Sequence, residues 1–364
     1  MLPDSAPALG LVKPSVRAQT AYTLESPVTA RKLNQNEAPA DVPEDLKREI
    51  LGRAAAIPWH RYPAFVPARL TAVLARRHDW TPEGVLVGNG SNEVIQAALT
   101  VSVAVADAVV APQPTFSLYR LLTGVLGGRY VPVPLGPDYA FDVDALVDAV
   151  RRERASVVVL NSPNNPTGSA LPDGAVERML FETDALVVCD EAYQDFGGPT
   201  AVPLLRRSAR LIVLRTFSKA MGMAGLRFGY ALAHPELSRE IAKVKLPYNV
   251  NVVTLAAAEV VLDHGERFRA LHRAVVTERD RFLQALAGIP GIRAFPSQAN
   301  FVLFRVESLP AKTVFRRLIE EHGILVRDVS GGAGLSECLR VSIGTREDMD
   351  AVLAGLGQIV GSPA

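Results

Sequence analysis

Cysteine is nearly absent: Cys189 and Cys338 are the only two in 364 residues. That excludes a disulfide framework and a cysteine-rich structural zinc site. A surplus of one charge is missing too. Lys plus Arg number 39 against 38 Asp plus Glu, a formal net charge of +1, and no basic block stands out. Such a balance argues against a nucleic-acid partner held by bulk phosphate neutralisation, and gives no reason to expect an anionic membrane surface. No apolar run is long enough to span a bilayer, since the longest, residues 97–111, is broken by Thr100, Ser102 and Asp107. The opening Met1-Leu2-Pro3-Asp4-Ser5 has neither a basic flank nor an apolar core, which does not read as a secretory signal and points to the cytoplasm. The histidines (His60, His78, His234, His264, His272, His322) show no i, i+4 ligand spacing with acids, so no metal is expected. Lysine is scarce as well. Only Lys13, Lys32, Lys47, Lys219, Lys243, Lys245 and Lys312 are present, which leaves few candidates for chemistry that needs an amine.

What is present is an ordinary globular composition, 48% hydrophobic and 21% charged, with length for about two domains at roughly 150 residues each. The first 30 or so residues hold Pro3, Pro7, Pro14 and Pro27 without sustained periodicity and read as an arm. Further on, short apolar runs alternate with helical stretches. Val85-Leu86-Val87, Ala108-Val109-Val110-Ala111, Tyr130-Val131-Pro132-Val133, Ser156-Val157-Val158-Val159-Leu160, Ala185-Leu186-Val187-Val188-Cys189 and Leu211-Ile212-Val213-Leu214 are the strands, with a helix over 116–123 among those between them. This is the pattern of βαβ units: an α/β fold with a mainly parallel sheet covered on both faces by helices. Helical text dominates residues 234–288, and a strand-rich tail follows, with its clearest members at 300–304 and 339–343. The expected division is an N-terminal arm (1–43) joining a small α+β domain (261–364), with a large domain (44–260) between.

In an open α/β sheet, ligands bind beyond the carboxyl ends of the strands. After the strand at 85–87 comes Gly88-Asn89-Gly90-Ser91-Asn92-Glu93 and a helix, whose free N–H groups suit an anion; alone, such a turn is usually only a turn. After the strand at 156–160 comes a rigid turn, Asn161-Ser162-Pro163-Asn164-Asn165-Pro166-Thr167-Gly168. It is either a stiff connector or a platform from which Asn165 reaches a bound ring. Asp190 follows five apolar residues and precedes Glu191-Ala192-Tyr193. A carboxylate so placed needs donors or a cation, and for a lone Asp an arginine partner is the better explanation. Cys189 beside it reads as a small buried hydrophobe. Lys219 lies between an apolar strand and a run of small residues, where an amine loses its proton more readily and can form a Schiff base. Arg227, eight residues on, is close enough to share an anion with Thr216 and Ser218. Together these make up the equipment for pyridoxal 5′-phosphate: an amine for the aldehyde, N–H groups and an arginine for the phosphate, and a carboxylate for the pyridinium nitrogen.

Asn164-Asn165-Pro166-Thr167-Gly168, Asp190-Glu191-Ala192-Tyr193 and Ser218-Lys219 with Gly225-Leu226-Arg227 resemble, in order, the motifs of the class I/II aminotransferases, pyridoxal-phosphate-dependent transferases of fold type I (the aspartate-aminotransferase fold). Leu33-Asn34-Gln35-Asn36-Glu37, Arg61-Tyr62-Pro63, Val326-Arg327-Asp328 and Leu339-Arg340-Val341-Ser342-Ile343-Gly344-Thr345-Arg346 resemble the histidinol-phosphate aminotransferases within that group. The resemblance covers most of the chain from about residue 10.

The resemblance implies roles. Lys219 is the Schiff-base lysine and proton shuttle, Asp190 the partner of the pyridinium nitrogen, and Tyr193 and Asn165 the hydrogen-bond partners of the cofactor's 3′-oxygen. Phe116 stacks on its ring, while Ser91, Asn92, Thr216, Ser218 and Arg227 hold its phosphate. Tyr62 reaches the phosphate of a neighbouring subunit, which implies a homodimer. Arg340 clamps the substrate carboxylate, Arg327 and Tyr22 bind its side chain or phosphate, and Asn34 lies near it. Salt bridging is the plainer explanation of Arg327 and Arg340, but the Leu-Arg-Val-Ser-Ile strand setting of Arg340 favours the clamp. The sequence departs from the family's pattern at Phe116, where tyrosine is common, at Asn92, which replaces a commoner acid, and over Lys13-Pro14-Ser15-Val16-Arg17-Ala18-Gln19. The implied reaction is amino transfer between L-glutamate and imidazole-acetol phosphate. The alternatives are an aromatic or broad-range aminotransferase, an L-threonine-phosphate decarboxylase-like lyase, and a non-catalytic cofactor-binding regulator.

Overall fold

Apolar runs rich in Val, Ile and Leu become the strands of one large sheet in the computed structural model, which describes residues 9–20 and 27–361. After a two-residue strand, β1 (Arg31–Lys32), come β2 (Val85–Gly88), β3 (Ala108–Gln113), β4 (Arg129–Pro134), β5 (Val157–Asn161), β6 (Leu186–Asp190), β7 (Leu211–Thr216) and β8 (Gly229–Ala233). The last seven form a sheet in the order β2-β8-β7-β6-β5-β3-β4. The pairs from β4 through β7 are parallel, whereas β8 runs antiparallel to both β7 and β2. Every residue of β5 and β7 is buried, as expected of strands covered on both faces.

The period of two along a strand sorts its side chains between two helical layers. Val158 and Leu160 of β5 pack with Leu46, Leu146, Met179 and Val260 from helices Glu44–Ala55, Val143–Glu153, Ala175–Glu182 and Val252–Asp263. Val157 and Val159 face Ile95, Tyr119 and Ile241 from helices Ser91–Ser102, Leu118–Leu126 and Pro235–Val244.

A second sheet, order β12-β13-β10-β9, is built from β9 (Ile292–Ala294), β10 (Phe301–Val306), β12 (Arg327–Asp328) and β13 (Cys338–Ser342), all antiparallel. Between them β11 (Ile324–Leu325) pairs in parallel with β1, tying the N-terminal segment to this part of the chain. Phe301, Phe304, Val341 and Leu356 lie in its core. The helix Gly265–Ala287 spans both bodies: Phe268 is buried in the first core, Phe282 and Leu286 in the second.

Most strand ends move by one or two residues from the sequence expectation, and three differences have a visible local cause. Strand β6 runs on to Asp190, because the N–H of Ser162 donates to the Asp190 carbonyl at 2.9 Å and extends the ladder. The helix expected over 116–123 is Leu118–Leu126, ended by Gly127 at φ 83°, the left-handed stop that favours glycine. Within the segment read as an arm, Pro14 opens a one-turn helix, Pro14–Arg17, at the first helical position that proline tolerates.

Candidate active site

Asp190 ends β6, is 3% exposed, and accepts hydrogen bonds from the Tyr119 hydroxyl at 2.6 Å and the Ala192 N–H at 3.1 Å. Burial lifts its carboxyl to about 6, against the pull of these two donors. Among the described residues no cation pairs with it. The arginine partner expected for a lone Asp is found one residue on: Glu191 pairs with Arg215 at 2.6 Å and accepts from Thr200 at 2.9 Å.

Lys219 follows β7, and its Nζ donates to the Gln35 carbonyl at 2.8 Å and lies 5.9 Å from the Tyr193 ring centroid. Burial, reinforced by the charges of Arg340 and Arg227 and opposed by Glu37, brings its amine down to about 7. The Tyr193 hydroxyl accepts from Asn36 Nδ2 at 3.0 Å. Asn36 has φ 56°, a left-handed conformation that Asn tolerates, and its N–H donates to Ser342 Oγ at 2.8 Å.

Asn165 is set by the rigid turn after β5. Its N–H donates to Asn161 Oδ1 at 2.8 Å, and its own Oδ1 accepts from Arg340 Nη1. Arg340 Nη2 donates to the Asn34 carbonyl at 2.8 Å, and the guanidinium lies 5.2 Å from the Phe301 ring centroid. Asn34 is buried, yet its Oδ1 has no hydrogen-bond partner among the described residues. Arg327 stands directly opposite Arg340 in the antiparallel β12–β13 pair, so both project from one face. Arg327 forms no ion pair among the described residues. Like charges opposite one another are unfavourable, and an anion between them relieves that repulsion.

The anion cradle opens at Gly90 (φ 84°), after which helix Ser91–Ser102 starts without a side-chain cap, leaving N–H groups at Ser91 and Asn92 available. Arg227 Nη1 donates to Ser218 Oγ at 3.3 Å, and the Ser218 N–H donates to Thr216 Oγ1 at 3.1 Å. A Cβ on Gly90 would stand 2.3 Å from Arg227 Nη2, and one on Gly229 2.3 Å from the Ser91 nitrogen. The two glycines are what allow arginine, helix start and β8 to close together. Underneath, Glu93 Oε2 accepts from the Asn89 N–H at 2.5 Å and Asn249 Nδ2 at 2.8 Å. Phe116 meets Tyr119 edge to face at 5.6 Å.

The fold therefore gathers Lys219, Tyr193, Asn165, Arg340 and Asn34 at one place, with Asp190 joined to Asn165 through Asn161, whose Nδ2 donates to the Asp190 carbonyl at 3.0 Å, Arg327 opposite Arg340, and the cradle at the neighbouring strand ends. Tyr62 is instead 80% exposed and stacks on Tyr248 with ring centroids 4.6 Å apart. Tyr22 lies outside the described residues. Sequence reasoning missed Tyr119, Asn36 and Asn161 as members of the cluster. The signals were there: Tyr119 stands one helical turn after Phe116, Asn36 lies inside a motif already singled out, and Asn161 ends a strand. Among the described residues no group of three or more His, Cys, Asp or Glu is placed to hold a metal, and no helix is long and apolar enough to cross a membrane.

A reactive amine, a buried acid and an uncapped helix start at the carboxyl ends of an α/β sheet define a site for a phosphorylated cofactor. The chain belongs to the aminotransferase class I and II family, whose model matches residues 30–356. It is 41% identical over 346 residues to the histidinol-phosphate aminotransferase of Chlorobaculum parvum, an alignment covering 94% of this chain and 96% of that relative. Among solved structures it is similar to the Sinorhizobium meliloti histidinol-phosphate aminotransferase in complex with pyridoxal-5′-phosphate, with TM-score 0.88, 26% identity, and coverage of 97% and 98% of the two chains. Its fold also matches the L-threonine-O-3-phosphate decarboxylase of Porphyromonas gingivalis, with TM-score 0.80, 22% identity, and coverage of 91% and 100%.

Proposed function

We propose that this chain is a pyridoxal-phosphate-dependent aminotransferase that moves an amino group from L-glutamate to imidazole-acetol phosphate, giving 2-oxoglutarate and L-histidinol phosphate. The observation that carries the reading is the convergence of Lys219, Asp190 and Arg340 through Tyr193, Asn165 and Asn34. The substrate assignment is supported by relatives of that name matched over nearly the full chain.

The residues present fit the cofactor. The uncapped start of helix Ser91–Ser102, the hydroxyls of Thr216 and Ser218, and Arg227, brought close by two glycines that a Cβ would push apart, suit a phosphate. Asp190 suits a protonated ring nitrogen, Phe116 a ring face, and Tyr193 and Asn165 a ring oxygen. When bound, pyridoxal phosphate supplies an electron sink for negative charge developing at the substrate α-carbon. Lys219, with its amine near 7, is neutral in an appreciable fraction at physiological pH and so able to take a proton at Nζ and return it. Arg340 offers a bidentate fork to a planar carboxylate. L-Histidinol phosphate carries a phosphate in place of an α-carboxylate, and two arginines at opposed positions of β12 and β13 suit the larger, doubly charged group.

The reading extends to a cytoplasmic homodimer. The exposed aromatic group of Tyr62, Phe65, Trp59 and Tyr248 supports a subunit contact, since clustered exposed apolar surface marks an interaction site. The arm is taken to end at residue 43, and the passage from large to small domain, expected at 260, is placed within helix Gly265–Ala287, because 260 would cut helix Val252–Asp263 and Phe268 still packs in the first core while Phe282 packs in the second.

The deciding experiment compares L-histidinol phosphate, L-phenylalanine and L-threonine phosphate as amino donors to 2-oxoglutarate. A preference for histidinol phosphate in kcat/KM is expected. Preference for phenylalanine, or release of carbon dioxide from threonine phosphate, overturns the substrate assignment. Borohydride treatment of the loaded protein is expected to leave cofactor mass on the peptide containing Lys219; mass on Lys243 or Lys245 overturns the lysine assignment.

A further inference from the structure

Of the residues around Asp190, Tyr119 alone brings a side-chain donor to its carboxyl among the described residues, at 2.6 Å. Both partners are enclosed, Tyr119 at 0% exposure and Asp190 at 3%. Among the described residues no cation pairs with the Asp190 carboxyl; the adjacent Glu191 closes its own pair with Arg215. A buried carboxylate without a cation stays ionised only if hydrogen-bond donors replace the water it has lost. The other donor is the backbone N–H of Ala192, at 3.1 Å. Tyr119 reaches Asp190 from the first turn of helix Leu118–Leu126, one turn after Phe116, whose ring it meets edge to face. One short segment after β3 therefore carries both the residue proposed to cover the ring face and the residue that grips the acid.

We infer that Tyr119 is a positioning residue for the reaction: its hydroxyl holds the Asp190 carboxylate in place and ionised, so that the acid can balance a protonated ring nitrogen. This rests on the reading of Asp190 as the partner of that nitrogen. The phenol is itself suited to remain a donor, since burial and the neighbouring Asp190 push its own ionisation well above the ordinary range. The other titratable groups around the pair are Glu191, neutralised by Arg215, Cys189, Tyr193, and Tyr130 of β4. The hydrogen bonds seen at the Asp190 carboxyl among the described residues come from Tyr119 and the Ala192 N–H. Phenylalanine at position 119 would keep the ring packing and remove one donor, so the carboxyl would stay protonated to higher pH and its charge would be partly lost at neutrality.

The test uses Tyr119→Phe, Asp190→Asn and the double variant, each loaded with cofactor, with far-UV circular dichroism as the check of folding. For Tyr119→Phe, kcat is expected to fall about ten-fold, the gap a hydrogen bond to a charged group accounts for, while the glutamate KM changes less than about two-fold. The acid limb of the kcat–pH profile is expected to move up by about one unit. The cofactor dissociation constant, read by fluorescence titration without turnover, is expected to rise several-fold. In the Asp190→Asn background the same change is expected to add nothing, because there is no carboxylate left to hold. Incorporating 3-fluorotyrosine at 119, a stronger donor of nearly the same size, is expected to move the acid limb the opposite way. The inference is overturned if Tyr119→Phe moves neither the acid limb nor the dissociation constant, if its cost is the same with and without Asp190, or if fluorotyrosine leaves the limb in place. If Asp190→Asn itself keeps wild-type turnover and cofactor affinity, the reading of Asp190 is overturned and the inference goes with it.

Discussion

At Lys219 the neighbours along the chain already give away the chemistry. Seven lysines are present, and only this one follows a fully buried strand and precedes small residues. Its depressed protonation also has a sign that can be tested. An unfolded lysine holds its proton to about 10.4, whereas the folded amine gives it up near 7, so between those values the unfolded state binds more protons and stability rises with pH. The penalty of the buried charge is complete below about pH 7 and gone by about pH 10. Cofactor-free Lys219→Met is therefore expected to be more stable than the parent at pH 6.5 by on the order of 4 kcal/mol, a gain that shrinks towards zero at pH 10; urea titrations at the two pH values check this. A gain that grows with pH would refute the buried-amine account. Arg340→Lys replaces a fork with a point charge, and kcat/KM for glutamate is expected to fall about a hundred-fold, about 2.7 kcal/mol at roughly 1.4 kcal/mol per decade. Tyr119 and Asn36 escaped the sequence for a physical reason. Their contacts join residues 71 and 157 positions apart, and no local pattern encodes a meeting that the sheet order alone creates.

The strand runs were legible because buried parallel strands are continuously apolar, but their order was not. Strand β8 reverses direction because the segment joining it to β7, residues 217–228, contains no helix, and a parallel return needs a crossover of a dozen or more residues, usually helical. That reversal puts Gly229 of β8 against the start of helix Ser91–Ser102. The Gly-rich turn was visible in the sequence; its dependence on a glycine more than a hundred residues away was not. Three glycines separate the effects of strain and of crowding. Gly229→Ala would set a Cβ 2.3 Å from the Ser91 nitrogen and 2.7 Å from the Gly90 carbonyl carbon, backbone atoms that can yield only by opening the cradle. Cofactor affinity is expected to drop at least ten-fold in a titration of the cofactor-free protein. Gly90→Ala combines a positive φ with the mobile end of Arg227, and a smaller loss is expected. Gly174→Ala also has a positive φ but nothing within 4 Å, so it is expected to lower stability by roughly 1 kcal/mol and leave affinity unchanged. Equal affinity losses in all three would mean that backbone strain, not close approach, governs the cradle.

The candidate site is assembled across both cores. Arg340 comes from the second sheet, Asn34 and Gln35 from the N-terminal segment, and Asn165 and Lys219 from the first sheet's strand ends. Near-neutral overall charge fits this arrangement, because anions are met by a few placed arginines without a basic surface. The N-terminal segment meets a later part of the chain where β1 pairs with β11; the residue that ties the segment after β6 to the segment before β10 was not foreseeable. Arg279, on the helix Gly265–Ala287, is 6% exposed and donates Nη1 to the carbonyls of Phe196 at 3.1 Å and Ala299 at 3.3 Å, tying the segment after β6 to the segment before β10 within the second core. Helical periodicity marks it as an ordinary charged position, and only the packing shows it to be enclosed. Arg279→Met would bury a similar stem but strand two carbonyls, each costing about 1–3 kcal/mol when left unsatisfied. A fall of several degrees in the thermal midpoint is expected for a protein of this size, together with a higher glutamate KM, because Arg340 and Asn165 would no longer be held at a fixed separation. Arg178→Met serves as the control, since its pairs with Glu182 and Asp144 lie at the surface and such pairs contribute about 1 kcal/mol or less. Calorimetry and steady-state kinetics on the two variants decide the matter: if Arg279→Met shifts the midpoint no more than Arg178→Met and leaves KM alone, the two halves of the site are held in register by something other than this helix.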